Sequence, residues 1–430
     1  MRLGRRKIIA AAVIATLTLT GLAACGDGGD NGSAADPAGA GVDGADDGTK
    51  LTLWTRAPLE LQAKALVTAY NGSHKNQVEL TIVPNDDYVA KVGAAAGSGD
   101  LPDLFAADIV YVPNWAQAGL FADLTDSIAR LPYADKINQA HLRAGTVEDK
   151  RYVLPFVLDL SVMFWNKDLY REAGLDPEKG PTTLAEFKDQ ALAVQRLGKP
   201  GVSGTYFGGN CGGCGVFTWF PMIWASGEEV MNPEGTSSLL NGAAAKQVYA
   251  TWRELQAAGA VASGSKDETG ATWVGAFQEG KVGVMPYPAT LLPTADKTVK
   301  VGVAPIPGVS GGASTFVGGD GIGVSKDSEK AQQAWNFLAW LMSEKAQTDV
   351  LAKNNSSPAR SDLTKSSDPR VTLINEVAAA ASSKTPVAVN FQQAFNAPGS
   401  PWVTLFRNQV YGDPGRLDED NDAVTQVLAQ

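Results

Sequence analysis

The chain has 430 residues, with 36 Lys+Arg against 46 Asp+Glu and only two histidines, for a formal net charge of −10. An acidic balance argues against a nucleic-acid partner, which needs a net-basic face, and His74 and His141 leave too few imidazoles for a His-rich metal centre. A hydrophobic content of 44% with 8% aromatics describes a globular chain rather than a disordered one.

In chain order, Met1–Lys7 is basic and Ile8–Leu22 is an apolar run interrupted by threonines. That run is short of the roughly 20 residues a membrane helix needs and suits the apolar region of an export signal, assigned to residues 1–24. Gly26–Thr49 carries six aspartates and no basic residue among Gly, Ala, Ser and Asn. It cannot bury apolar surface, so residues 25–49 are expected to be a flexible linker. The remaining residues exceed the usual single-core limit of roughly 250–300, and two lobes are expected. Leu51–Trp54 reads as a first strand, followed by an amphipathic helix over Leu59–Tyr70, a strand at Val78–Val83 and a helix at Asp86–Ala96. A short apolar strand at Asp103–Ala107 and a helix from Pro113 complete a β-α-β-α alternation, which predicts an α/β lobe with a largely parallel sheet. The mixture resumes after Val153–Trp165, with a capped helix at Thr182–Leu197. Glu329–Leu351 reads as one long helix, with Ala331, Ala334, Trp335, Leu338, Leu341 and Met342 on one face. Gly and Pro clusters at Pro305–Gly312 and Gly318–Gly323 read as loops between strands.

Two motifs mislead. Gly308-Val309-Ser310-Gly311-Gly312 satisfies the G-x-S-x-G pattern, but no histidine follows Ser310 to complete a triad. Gly275–Val282 comes within one residue of a phosphate-binding loop, yet Val282 stands where the magnesium-binding hydroxyl must be. Of three cysteines, Cys25 closes Leu22-Ala23-Ala24-Cys25, which resembles a bacterial lipobox and implies cleavage before Cys25 with lipid attached there. Cys211 and Cys214, in Cys-Gly-Gly-Cys, are compatible with a redox centre, half a zinc site or a structural bridge. The Gly-rich surroundings read as a loop, and a local disulfide is favoured.

Four blocks in order carry a family resemblance: Gly97–Phe105 with Ala116–Leu124, Tyr152–Phe156 with Ser161–Leu169 and Ala173–Leu175, Phe277–Met285, and Phe316–Ser325. They resemble the extracellular solute-binding proteins of sugar ABC importers, the maltose-binding-protein superfamily. The resemblance implies an α/β, two-lobed periplasmic-binding-protein-like fold with a hinge and a central ligand cleft. Lobe one would comprise 50–158 plus 320–360, and lobe two 159–319 plus 361–430. Crossings are expected at Val157–Ser161, Val317–Gly321 and about Ser357–Asp362. The implied function is capture of a carbohydrate and delivery to ABC permease subunits by a monomer anchored through lipid on Cys25, with no cofactor, no metal and no catalysis. An exported glycoside hydrolase and a binder of a glycerol-phosphate-type ester are the rivals.

A sugar needs polar partners for its hydroxyls and flat apolar surfaces for its ring faces. Asp159, seven residues before Asn166, falls where the family carries a ligand-contacting acid; a capping or hinge-bonding role is its alternative. Asp108 ends a predicted strand, where open α/β sheets bind ligands; the alternative is a helix N-cap. Tyr287 follows Met285-Pro286 in an expected ligand-facing loop, and Gly318 and Gly319 would let backbone amides approach, with an unusual turn as their alternative role. Trp54, Phe217, Trp219, Trp273 and Trp402 are the stacking candidates, each with a core role as alternative. Arg360 would bond a hydroxyl or carboxylate, with an internal salt bridge as the stronger alternative.

Overall fold

The computed structural model describes residues 42–430 apart from Trp273 and Asn355, and leaves aside the side chains of Asp86 and Pro293. The expected export signal, Cys25 and Trp273 lie outside the described residues. Seven strands form the main sheet: β1 (Lys50–Arg56), β2 (Gln77–Val83), β3 (Leu104–Asp108), β4 (Leu154–Asn166), β5 (Val284–Pro288), β6 (Val301–Ala304) and β7 (Val317–Val324), in the order β2-β1-β3-β7-β4-β5, with β6 also on β4. β1 turns Leu51, Leu53 and Thr55 inward by simple alternation and pairs in parallel with β2 and β3. The helices Glu60–Asn71 and Asn85–Ser98 supply the crossover and the cover that parallel strands require. Within the main sheet parallel pairing stops there. β7 runs antiparallel to both β3 and β4, and β4 antiparallel to β5 and β6.

β4 organises the molecule. Its residues from Leu154 to Leu160 pair with β7, and those from Ser161 to Asn166 pair with β5 and β6. One strand therefore joins the two parts of the sheet. It is apolar on both faces and buried along its whole length except at Asp159. Beyond the sheet the chain is mainly helical, with Leu184–Gln195, Gly212–Trp224, Ala243–Ala257, Pro401–Tyr411 and Leu417–Leu428, and Ile306–Gly308 pairs antiparallel with Gly311–Ser314. Trp219 lies parallel to Trp252 at 5.2 Å between ring centroids, and Trp402 and Phe406 pack edge-on and tilted around it.

Three expectations are corrected. Gly318–Gly323 is not a loop but the body of β7, every residue of which is buried. Glycine is required because the strand is wedged between neighbours: Gly319 has φ +99°, and a β-carbon there would strike the Val157 carbonyl oxygen and lie 2.8 Å from the Asp159 nitrogen. The long helix is Ala331–Leu341, and the chain restarts as a wider turn at Ala346–Leu351. Ser343 Oγ accepts from the Ala346 amide at 3.2 Å and so caps the second piece. Finally, residues 42–49 of the expected linker are docked. Trp335 Nε1 donates to the Val42 carbonyl at 2.9 Å, Asn336 Nδ2 to Asp43 at 2.7 Å, and Asn76 Oδ1 accepts from the amides of Asp47, Gly48 and Thr49, each at 3.1 Å.

Candidate functional site

The ends of β1 and β3, the middle of β4 and the start of β7 converge on one cavity of about 460 Å³. Arg56 is the last residue of β1 and Asp108 the last of β3. The register of β7 sets Asp320 opposite Asp108 and Gly318 opposite Asp159. Arg56 grips Asp320 through Nε, at 2.9 and 3.1 Å to the two carboxylate oxygens, and through a terminal nitrogen at 2.5 Å. That terminal nitrogen also lies 3.1 Å from Asp108 Oδ2. Asp320 is fully buried, so this fork is what lets its charge stay inside. The two carboxylates hold the guanidinium well above its usual basicity, against the opposing effect of burial. Among the described residues lining the cavity, Arg56 is the one cation.

Asp159 faces the same cavity from β4. Its Oδ1 is sealed from solvent and has no hydrogen-bond partner among the described residues. Burial, opposed by Arg56 and reinforced by Asp108 and Asp320, pushes its carboxyl up to about 7 from an ordinary 3.8. The neighbouring Gly318 carbonyl accepts from buried His141 Nε2 at 2.9 Å. His141, whose basicity burial lowers to about 4, is thereby a neutral support of β7.

The facing wall comes from the start of the helix Gly212–Trp224, with Gly213, Cys214, Val216 and Phe217, together with Phe316, Phe391 and Asn396. Phe217 and Phe316 lie 5.0 Å apart between centroids and tilted by 40°. A β-carbon at Gly318 would sit 2.7 Å from Phe217 Cε2, so the ring presses directly on β7. The rim is apolar: Pro58, Leu59 and Leu61 line it, and Leu61 is 81% exposed. Cys211 and Cys214 form a disulfide with 5.2 Å between Cα atoms. The loop expected around them is corrected, since Cys211 is the N-cap of this helix and Cys214 lies in its first turn.

The cavity thus gathers Asp159, Asp108, Phe217, Gly318 and Gly319 among the expected residues. Tyr287 is paired with Val162 beside it, and its neighbour Pro288 lines it. Burial, with the charges of Asp159 and Glu268, pushes the Tyr287 hydroxyl up to about 12. Four candidates are placed elsewhere. Trp219 and Trp402 are fully buried in the helical core, where Trp402 Nε1 donates to the Gly212 carbonyl at 3.1 Å. They belong to the packing behind the wall, and Phe217 stands in front. Trp54 lies outside the cavity lining under Lys91, whose Nζ is 4.5 Å from the ring centroid. Arg360 is spent internally on Asp362 at 2.6 and 3.1 Å, on the Met342 carbonyl at 3.2 Å and on the face of Tyr133. Arg56, Asp320 and His141 were missed. The rule that places ligands at strand ends reaches Arg56 when applied to β1 as well as β3.

Residues 56–348 match the family described as bacterial extracellular solute-binding protein. The diacetylchitobiose binding protein DasA of Streptomyces coelicolor is 25% identical over 373 residues, which cover 84% of this chain and 83% of that protein. A putative binding protein of Brucella abortus is 24% identical over 271 residues; the matched region spans 61% of this chain and only 64% of the Brucella protein. Among solved structures, the cyclic alpha-maltosyl-1,6-maltose binding protein from Arthrobacter globiformis superposes with a TM-score of 0.74 at 24% identity, covering 89% of this chain and 98% of that one. The sugar-binding protein MalE from Xanthomonas citri gives 0.76 at 17% identity, covering 89% and 98%. The family match extends from the cavity's Arg56 through β4 and β7 into the helix beyond. The chain belongs to the bacterial extracellular solute-binding proteins.

Proposed function

We propose that the protein is the substrate-binding subunit of an ABC importer, capturing a sugar or oligosaccharide between its lobes and delivering it to a membrane permease. The observation that supports this most is the pairing of carboxylates at strand ends with an aromatic wall across one cavity. Asp159 and Asp108 offer acceptors for hydroxyls, and Phe217 with Phe316 offers apolar faces. The lining disfavours a phosphate ester, because its single cation is already held by two carboxylates. Relatives named for diacetylchitobiose and for a cyclic maltosyl-maltose support the carbohydrate class. The lobes are those bounded at residues 158/159, 319/320 and 360/361. They close around ligand because it contacts both lobes better when closed. The protein acts as a monomer without altering its ligand, held outside the membrane through lipid on Cys25.

The test is a thermal-shift and calorimetric panel of maltose, maltotriose, mannobiose, N,N′-diacetylchitobiose and glycerol 3-phosphate. At least one glycan is expected to raise the melting temperature saturably and to be recovered unchanged. Replacing Asp159 by Ala should remove that shift. A panel in which only glycerol 3-phosphate binds, or in which a glycan is cleaved, overturns the reading.

A further inference from the structure

The disulfide stands out as a feature that sugar binding by itself does not call for. Its loop is very short, with three residues of sequence separation, so the chain entropy it removes is small compared with that of long-range bridges. Its surroundings are local and tightly laced. Gly270 has φ +100°, and a β-carbon there would meet both sulfurs at 3.1 and 3.2 Å, so that turn lies flat against the bridge. Glu268 fixes the turn by accepting from the Gly270 and Thr272 amides at 2.7 and 3.1 Å and from Tyr206 Oη at 3.1 Å. The preceding strand of loop joins in through Gly209 to the Ser265 carbonyl at 2.7 Å and Asn210 to Glu268 at 2.9 Å. On its other side the bridge closes the first turn of Gly212–Trp224, where Cys211 Sγ accepts from the Cys214 amide at 3.1 Å. Cys214 itself, Val216 and Phe217 then line the cavity from that same turn and the next.

The N-terminal turn of a helix beginning Gly-Gly-Cys-Gly has weak intrinsic helicity. We infer that the Cys211–Cys214 disulfide is a positioning element of the binding site: it pre-organises the first turns of this helix so that Phe217 and Val216 meet the ligand without an ordering cost. This rests on the sugar-binding reading for its ligand. It follows that opening the bridge weakens binding while the fold persists. A redox-exchange role is disfavoured by the same packing, since Gly208 and Gly270 close on the sulfurs from two sides.

The experiment compares oxidised protein, protein reduced by a phosphine, and the Cys211→Ser variant. In reduction the phosphorus attacks one sulfur and the S–S bond breaks. Water then delivers its oxygen to phosphorus as phosphine oxide, and two thiols result. Cys211→Ser removes the bridge but retains an N-cap oxygen, which separates bridging from capping. Two readouts are taken: affinity for maltotriose and N,N′-diacetylchitobiose by calorimetry, and amide hydrogen exchange of ligand-free protein. In both bridge-free forms, exchange should rise over residues 212–218 and stay protected in β4 and β7. Affinity should fall about tenfold, as expected for re-ordering two or three lining side chains. Unchanged exchange at 212–218, unchanged affinity, or loss of protection throughout the chain each overturns the inference. If neither glycan binds oxidised protein, the sugar reading fails for these probes, and the exchange measurement still decides the positioning role.

Discussion

Asp159→Asn separates the energetic cost of the site from its use. In the folded protein the Asp159 carboxyl titrates near 7 rather than 3.8, because burial outweighs the help of Arg56. Well below pH 3.8 both folded and unfolded chains hold the proton, and at pH 4 the penalty on the wild type is still small, about 0.5 kcal/mol. As pH rises from about 4 to about 7 the unfolded carboxyl ionises while the folded one does not, and stability is lost until the folded group ionises too. The interval from 3.8 to about 7 is worth about 4 kcal/mol at 1.36 kcal/mol per pH unit. An asparagine has the same shape and no charge, but its amide must also be desolvated. The variant should therefore nearly match the wild type at pH 4 and exceed it by about 2–4 kcal/mol at pH 7.5. Urea unfolding of both proteins at pH 4, 5.5 and 7.5 measures this. The comparison cancels the titration of His141, which runs in the opposite direction. The same substitution should weaken glycan binding, because a strong acceptor is replaced by a weaker one. Parallel stability curves across pH, or an asparagine variant less stable at pH 7.5, would refute the buried-charge argument.

The paired glycines should respond differently. Gly319→Ala places a β-carbon on the Val157 carbonyl in a left-handed backbone and should cost about 1–3 kcal/mol in unfolding free energy. Gly318→Ala chiefly displaces the Phe217 ring and should lower glycan affinity with a smaller effect on the ligand-free melting temperature. Arg56→Met leaves the buried Asp320 carboxylate unpaired and should cost about 3–5 kcal/mol at neutral pH. Much of that should return in the double variant with Asp320→Asn, read by denaturant unfolding; no recovery would mean that the fork is not what holds Asp320.

Local pattern carried the first three strands, because their alternation and flanking turns are properties of short segments. Asp159 came from the family resemblance and Asp108 from the rule that ligands sit at strand ends, and both line the cavity. What local pattern could not carry is tertiary. Gly318–Gly323 reads as a loop until β3 and β4 are seen pressing on it from both sides. The helix Gly212–Trp224 is buried on nearly every face, so composition does not separate Phe217 in the cavity from Trp219 in the core. The Gly-rich start of that helix has poor propensity and is fixed by its neighbours, which is why it read as a loop. Arg56 and Asp320 are 264 residues apart in sequence, and no periodicity links them.

Because β4 gives its first half to one sheet partner and its second half to another, neither lobe is a separable module. Any truncation that keeps one lobe whole carries off strand residues on which the other depends. A cut between Leu160 and Ser161 would leave two raw strand ends where there had been one continuous beam. Fragments are thus expected to regain solubility only when expressed together, and the two lobes should unfold as a single event.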